Sequence, residues 1–212
     1  RMAIRVMRAI FAWGVEESLI AQNPAVGIKM GRDGVRSSVL ESQAEYVHLF
    51  ATIDRLEKEC RLRPKAADCI RVLALTGARK NEIAAMRWDW VDLKRGVVIL
   101  PASAHKTGKK TGSREIYLPA KAQEIISRQF KSSNDGFIFT PAKGHGPISL
   151  SKPWQLIRAE AGLPKDLGIH GLRHSLATLM AIQGAAAPQI MAALGHRQLS
   201  TAARYIKTVE DA

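Results

Sequence analysis

Cysteine is scarce in this chain, and its two thiols, Cys60 and Cys69, form no C-x-x-C pair and have no histidine partner at metal-ligand spacing. That argues against a disulfide framework and against a zinc site, and it leaves reduced thiols in a cytosolic compartment as the default expectation. No apolar run reaches the roughly 18 residues a membrane helix needs, and no signal-peptide pattern is present. Acidic residues are also in short supply, with 19 Asp plus Glu against 32 Lys plus Arg, a net charge of +13 and a pI near 10.1. Such a surplus suits a nucleic-acid partner, although charge only licenses attraction to phosphates and says nothing of sequence recognition. What is present in quantity is apolar side chain, 46% of 212 residues, enough for one substantial core with some appended structure. The chain starts at Arg1 without an initiator Met, in what reads as mid-helix, and is taken to be a fragment.

From residue 2 to about 21 the apolar positions Ile4, Met7, Ile10, Phe11, Leu19 and Ile20 trace an amphipathic helix interrupted by Gly14, closed by Asn23-Pro24. Gly27 to Val39 then turns to Gly, Lys, Arg and Ser with no apolar period, the composition of a linker. Ser42 with Glu45 makes a capping box for a helix running to about Glu59. Pro64 suits a first helical turn, and the apolar helix through IRVLALTG stops at Gly77. It delivers Arg79 to a turn before a short helix, Asn81 to Met86, where a phosphate would meet free backbone N–H groups as well as a guanidinium. Residues 97–101 (VVILP) and 114–119 (REIYLP) read as two strands of a hairpin whose loop, ASAHKTGKKTGS, is rich in Gly and Lys. A helix from Ala120 to Lys131 and a third strand at Phe137 to Thr140 are expected to follow. Ser149 or Ser151 can cap a helix to Ala161, whose polar face carries Lys152 and Arg158. Leu172, Leu176, Leu179 and Met180 stripe the next helix toward the core. Pro188 opens and Gly195 closes another, and Ser200 can cap the last.

The chemistry gathers between Ile169 and Lys207, where His170, Arg173, His174, His196 and Tyr205 stand in order. Arginine's planar fork matches phosphate oxygens bidentately and stays charged. Histidine donates to an oxyanion or accepts a proton near neutrality. A tyrosine is a poor nucleophile until positive charge or a base helps it. In this setting His174 reads as a packed or hydrogen-bonded structural group rather than a catalytic one. The order HGLRH, then LGH, then a tyrosine nine residues after His196 resembles the tyrosine recombinase family, which includes the phage integrases and the Xer-type and Cre-type recombinases. TGARKNEI, from Thr76 to Ile83, matches that family's earlier TG-x-R-x-x-E landmark. The likeness runs from about Glu41 to Lys207, and GARKNEIAAMRW with the Ala-rich LGH region is similar to prophage and genomic-island integrases.

The resemblance implies a mainly α fold with a small antiparallel sheet. It implies residues 41–212 as a catalytic domain, 27–40 as a linker, and 1–26 as the last helix of a truncated N-terminal core-binding domain. It further implies metal-free and cofactor-free strand exchange on double-stranded DNA. Tyr205 attacks the scissile phosphate to give a 3′-phosphotyrosine, Arg79 and Arg173 hold the non-bridging oxygens, and His196 donates to them. His170 is the candidate base for Tyr205, or a positioning group. A hairpin lysine, Lys106 before its competitors Lys109 and Lys110, protonates the leaving 5′ oxygen. Glu82 supports the site from behind, and Lys109, Lys110, Lys152 and Arg158 are candidate DNA contacts. A homotetramer on attachment-site DNA, a monomer without it, DNA-bending accessory proteins, no membrane, and a cytoplasmic, nucleoid-associated location complete the expectation. A type IB topoisomerase-like relaxation activity and a catalytically silent DNA-binding regulator are the competing readings.

Overall fold

The computed structural model describes residues 2–28, 38–104, 112–129, 136–195 and 198–210. It divides into two compact units, Arg1–Arg36 and Ser37–Ala212. In the first, α1 (Met2–Glu16) runs unbroken through Gly14, which is its buried residue. Gly14 does not interrupt the helix, and Ile20 folds back onto it, to within 3.5 Å of the place a Cβ would take. Arg8 fastens the following turn, donating from Nε to the Ala25 carbonyl at 2.7 Å, while Asn23 Nδ2 donates to the Arg8 carbonyl at 3.0 Å.

The larger unit is mostly helical around a main apolar core, with a three-stranded antiparallel sheet at its side. Ser42 opens α2 (Gln43–Lys58) with the capping box its sequence spells, Oγ accepting from Glu45 N at 3.2 Å and Glu45 Oε2 accepting from Ser42 N at 3.0 Å. The central helix α3 (Pro64–Thr76) starts on its proline and is buried along nearly its whole length. Two charged residues on it survive burial because they are paired. Arg71 donates to Asp68 at 2.9 Å and also reaches Asp54 and Glu57, and Asp68 in turn accepts from Arg128 and from Gln129 at 2.6 Å. Gly77 ends α3 in the left-handed region, φ +59°. A short helix, α4 (Lys80–Ala84), follows at once.

Strand β2 (Val97–Leu100) lies between β1 (Val91–Asp92) and β3 (Arg114–Tyr117), with Leu100 opposite Arg114 and Val98 opposite both Ile116 and Val91. The third strand is therefore the two-residue β1, not the expected Phe137 to Thr140. The segment bridges to the chain beside Met86, Phe137 opposite Arg87 and the Ile138 N–H on the Met86 carbonyl at 2.9 Å, rather than pairing with the sheet, and Ile138 and Phe139 are fully buried in the core. Helix α5 (Ala120–Ser127) ends before the expected Lys131, since residues 128 and 129 leave the helix. In α6 (Ser151–Glu160) neither Ser149 nor Ser151 caps; Leu150 occupies the cap position without a side-chain bond.

Helices α7 (Gly171–Ile182), α8 (Ala187–Leu194) and α9 (Leu199–Glu210) pack on one another around a second, smaller cluster. It consists of Ala177, Ala181, Ile190, Leu194 and Ala202, with Tyr205, Ile206 and Val209 laid against it. Ser200 stands inside the first turn of α9 rather than at its cap, because the helix already begins at Leu199. Among the described residues no helix is long and apolar enough to cross a membrane.

Candidate active site

Glu82 anchors the site from behind. It is 3% exposed on α4, and its carboxylate takes four donors. The Arg79 backbone N–H donates to Oε2 at 2.9 Å, Arg79 Nη1 to Oε1 at 2.9 Å, and Arg114 donates from Nη1 to Oε1 at 3.0 Å and from Nη2 to Oε2 at 3.3 Å. One carboxylate thus orients two guanidinium groups, one from a helix start and one from a strand. Its own backbone bond to Arg79 is the third-residue half of a capping box. Arg79, half-exposed, remains open on its outer side, where it lines a cavity of about 510 Å³ with Lys80, Asn81, Glu82, Ser103, Ala104 and His170.

Arg173 approaches from α7 and is buried. It donates from Nη1 to the Gly77 carbonyl and from Nη2 to the Leu194 carbonyl, each at 2.7 Å. Those carbonyls belong to the ends of α3 and α8, where the last helical oxygens lack partners and the helix dipole is negative. Both helices stop on a left-handed glycine, Gly77 and Gly195. Burial, and then the charges of Arg79 and Arg114, bring the Arg173 guanidinium down to about 10. Burial and the Arg79 charge also lower Arg114. Arg114 Nε is buried without a hydrogen-bond partner among the described residues, and lies 2.6 Å from where a Cβ on Gly195 would sit. Three guanidinium groups facing a single carboxylate leave a positive pocket that suits an anion.

Tyr205, half-buried on α9, reaches back to α7. Its hydroxyl and His174 Nδ1 are hydrogen-bonded at 2.6 Å. The His174 ring meets His170 edge to face, with centroids 5.1 Å apart, one helical turn along. His170 occupies the cap position of α7 at the rim of the cavity that Arg79 lines. Burial and then Arg173 lower the His174 ring below its ordinary value. For His170 the causes are burial, His174, Arg173 and Arg79 in that order. Burial raises the Tyr205 phenol, while Arg173 and Arg204 pull it down.

The structure therefore brings together Arg79, Glu82, His170 and Arg173, with His174 and Tyr205 beside them. It sets His174 on the phenol, in keeping with a hydrogen-bonded group, and turns His170 to the cavity. The sequence reads His174 as a packed or hydrogen-bonded group without naming its partner, because the convergence of α7 and α9 is not visible in spacing. Arg114 was not singled out at all. The one available signal was its place at the head of REIYLP, where pairing with Leu100 turns it toward α4. His196, Lys106, Lys109 and Lys110 lie outside the described residues. Lys152 is exposed on α6, and Arg158 on the same helix is engaged with the Lys165 carbonyl, so neither joins this cluster. Among the described residues no group of three His, Cys, Asp or Glu side chains is placed to hold a metal ion.

The model of the phage integrase family matches residues 41–211. Tyrosine recombinase XerC of Proteus mirabilis is 26% identical over 207 residues, covering 94% of this chain and 64% of its own length. Tyrosine recombinase XerD of Ralstonia nicotianae is 26% identical over 211 residues, with 94% and 66% covered. The chain spans about two thirds of the length of these relatives. Among solved structures, the Tn1549 transposon integrase in complex with transposon right end DNA superposes with a TM-score of 0.72 at 18% identity, over 98% of this chain and 76% of that one. A lambda integrase dimer bound to a COC′ core site gives 0.69 at 19%, over 97% and 58%. These likenesses establish the fold.

Proposed function

The chain belongs to the phage integrase family, and from that footing we propose that it is the catalytic part of a site-specific recombinase. In this reading it cuts and rejoins double-stranded DNA through a 3′-phosphotyrosine on Tyr205, and integrates or excises a mobile element. The observation that carries the reading is the docking of the Tyr205 phenol on the residue next to Arg173, inside a field that Arg173 shares with Arg79 and Arg114. A phenol held beside converging guanidinium forks is the arrangement an in-line attack on a phosphodiester needs.

In this reading the phosphate enters over Arg79, with His170 at its rim. Arg79 and Arg173 bear on the non-bridging oxygens, where charge accumulates, and His196 adds a further donor. Nη1 and Nη2 of Arg173 each carry a second hydrogen beyond the one given to a carbonyl. Lys106 follows Ala104, a cavity-lining residue, by two positions, which supports it as the acid for the leaving 5′ oxygen. Tyr205 Oη bonds to phosphorus, the bond to the 5′ oxygen breaks, and a 5′-hydroxyl of a second duplex later reverses the step without ATP. The likeness of GARKNEIAAMRW and the LGH region to prophage and genomic-island integrases supports the mobile element. A tetramer on DNA, with strands exchanged through a Holliday junction, completes the proposal.

The test uses nicked suicide duplexes tiled from the DNA that flanks the chain's own coding sequence. The parent is expected to give a DNA-linked band on a denaturing gel and Tyr205→Phe none. Equal bands from both would move the nucleophile elsewhere, and sequence-blind relaxation of supercoiled plasmid would make the chain a topoisomerase.

A further inference from the structure

We propose that His174 is the catalytic base that takes the phenol proton of Tyr205 as the strand is cut, an inference that rests on the strand-transfer reading above. Its Nδ1 stands 2.6 Å from the Tyr205 oxygen, within the range in which a proton passes directly between two heavy atoms. The ring is fixed from three sides. It is held by its own helix α7, by the edge of His170, 5.1 Å away between centroids, and by the phenol it bonds. His170 is thereby left facing the cavity with Arg79, where a phosphate oxygen rather than the phenol is its natural partner.

Two further features fit a base. Burial and the neighbouring Arg173 charge disfavour the imidazolium, so the ring is neutral at neutral pH and has a lone pair to offer. Burial keeps Tyr205 a phenol rather than a phenolate until something takes its proton. Entry of a phosphate beside Arg79 and Arg173 brings negative charge that offsets those guanidinium groups, raises the basicity of His174, and thus couples deprotonation to the presence of DNA. The step balances. The phenol O–H bond breaks and its proton moves to Nδ1. The oxygen's electron pair forms the bond to phosphorus, and the 5′ oxygen leaves with the electrons of the bond that breaks, taking a proton from a separate acid. On religation the separate acid, now deprotonated, takes the proton of the attacking 5′-hydroxyl as its oxygen bonds to phosphorus, and the imidazolium returns its proton to the leaving phenolate.

The experiment measures single-turnover formation of the covalent adduct on the same nicked duplexes, with the DNA dissociation constant and the thermal midpoint recorded for every variant. His174→Ala is expected to cut about 10²-fold more slowly, as for loss of a general base, with DNA affinity unchanged. His174→Asn keeps an acceptor that can hold the phenol in place but cannot take a proton at neutral pH, so it is expected to be as slow as the alanine variant. Asn at the parental rate overturns the proposal and leaves His174 a positioning residue. A duplex with sulfur in place of the leaving 5′ oxygen needs no acid, and both variants are expected to stay slow on it. Recovery to the parental rate there would make His174 the acid instead. A parent that forms no adduct on any duplex, or a Tyr205→Phe chain that still forms one, removes the strand-transfer reading and this assignment with it. An adduct in the parent alone, with Asn at full rate, removes only the assignment.

Discussion

Glu82 holds two arginines in register, and its charge is what makes their approach tolerable. Glu82→Gln keeps the shape but leaves the Arg79 and Arg114 guanidinium groups sharing a neutral amide, with Arg114 largely enclosed. Unpairing a buried charge costs about 3–5 kcal/mol, and the half-exposed Arg79 places this case near the lower end. A loss of about 3 kcal/mol in urea unfolding is expected, and a change under 1 kcal/mol would show that the carboxylate is not needed for its partners. The two histidines of α7 give a pH prediction of definite sign. Both titrate below their ordinary 6.5 in the folded chain, so between those values and 6.5 the unfolded chain binds more protons, and stability rises with pH. The stability their neutral rings contribute is in place above about 6.5 and is lost as pH falls through the folded values. The carboxylates held low by exposed ion pairs, Glu59, Glu124 and Glu160, act only below their ordinary 4.5. A thermal midpoint that falls between about pH 6.5 and 5 in the parent, and falls less in a His170→Gln, His174→Gln double variant, is expected; parallel curves would count against it. At this scale the sequence was informative where a motif fixes spacing. HGLRH and the late tyrosine name the participants, but which histidine meets the phenol depends on the crossing of α7 and α9, a tertiary fact.

Helix ends, more than helix bodies, shape the pocket. Arg173 joins the carbonyl termini of α3 and α8, and each terminus is available because a glycine turns the chain sharply away. At Gly77 a Cβ would stand 2.4 Å from Leu194 Cδ2 and 2.9 Å from Leu176 Cδ2, in a backbone with φ +59°. Gly184 shares the left-handed conformation, φ +83°, but faces nothing within 4 Å. Gly184→Ala therefore isolates the backbone cost, about 1–2 kcal/mol. Gly77→Ala adds overpacking of about 1–3 kcal/mol and is expected to destabilise by about 2–5 kcal/mol in all. Equal losses in the two variants would show that the Leu176 and Leu194 side chains yield freely. These ends were legible, since Pro64, Gly77, Pro188 and Gly195 punctuate their helices in the sequence. The sheet was only half legible. The strands of the hairpin carry strand-forming residues between turn signals, whereas β1 is two residues long and carries no period, and the buried run of Ile138 and Phe139 imitates a strand that the chain never forms.

For the whole molecule the surplus of 13 positive charges matters less than where its counterweights lie. Asp54, Glu57 and Asp68 are committed to Arg71 and Arg128, Glu59 and Glu160 to Arg55 and Arg61, and Glu82 to Arg79 and Arg114. These six acidic side chains are thus committed to arginines of the same chain, while Lys152 is exposed, Lys80 half-buried, and the outer side of Arg79 open. A molecule so arranged attracts a polyanion over more than its active site. Under the proposed function, affinity for duplex DNA of arbitrary sequence is expected to fall roughly 10³-fold between 50 and 200 mM salt, as for a protein neutralising about six phosphates. The fold itself is expected to lose little over that range, because exposed pairs such as Arg55 with Glu59 contribute little to stability to begin with, so screening them removes little. Fluorescence anisotropy with a labelled random duplex gives the first quantity and thermal unfolding in the same buffers the second. A flat salt dependence of binding, with the fold intact, would mean that the basic surface does not track a phosphate backbone.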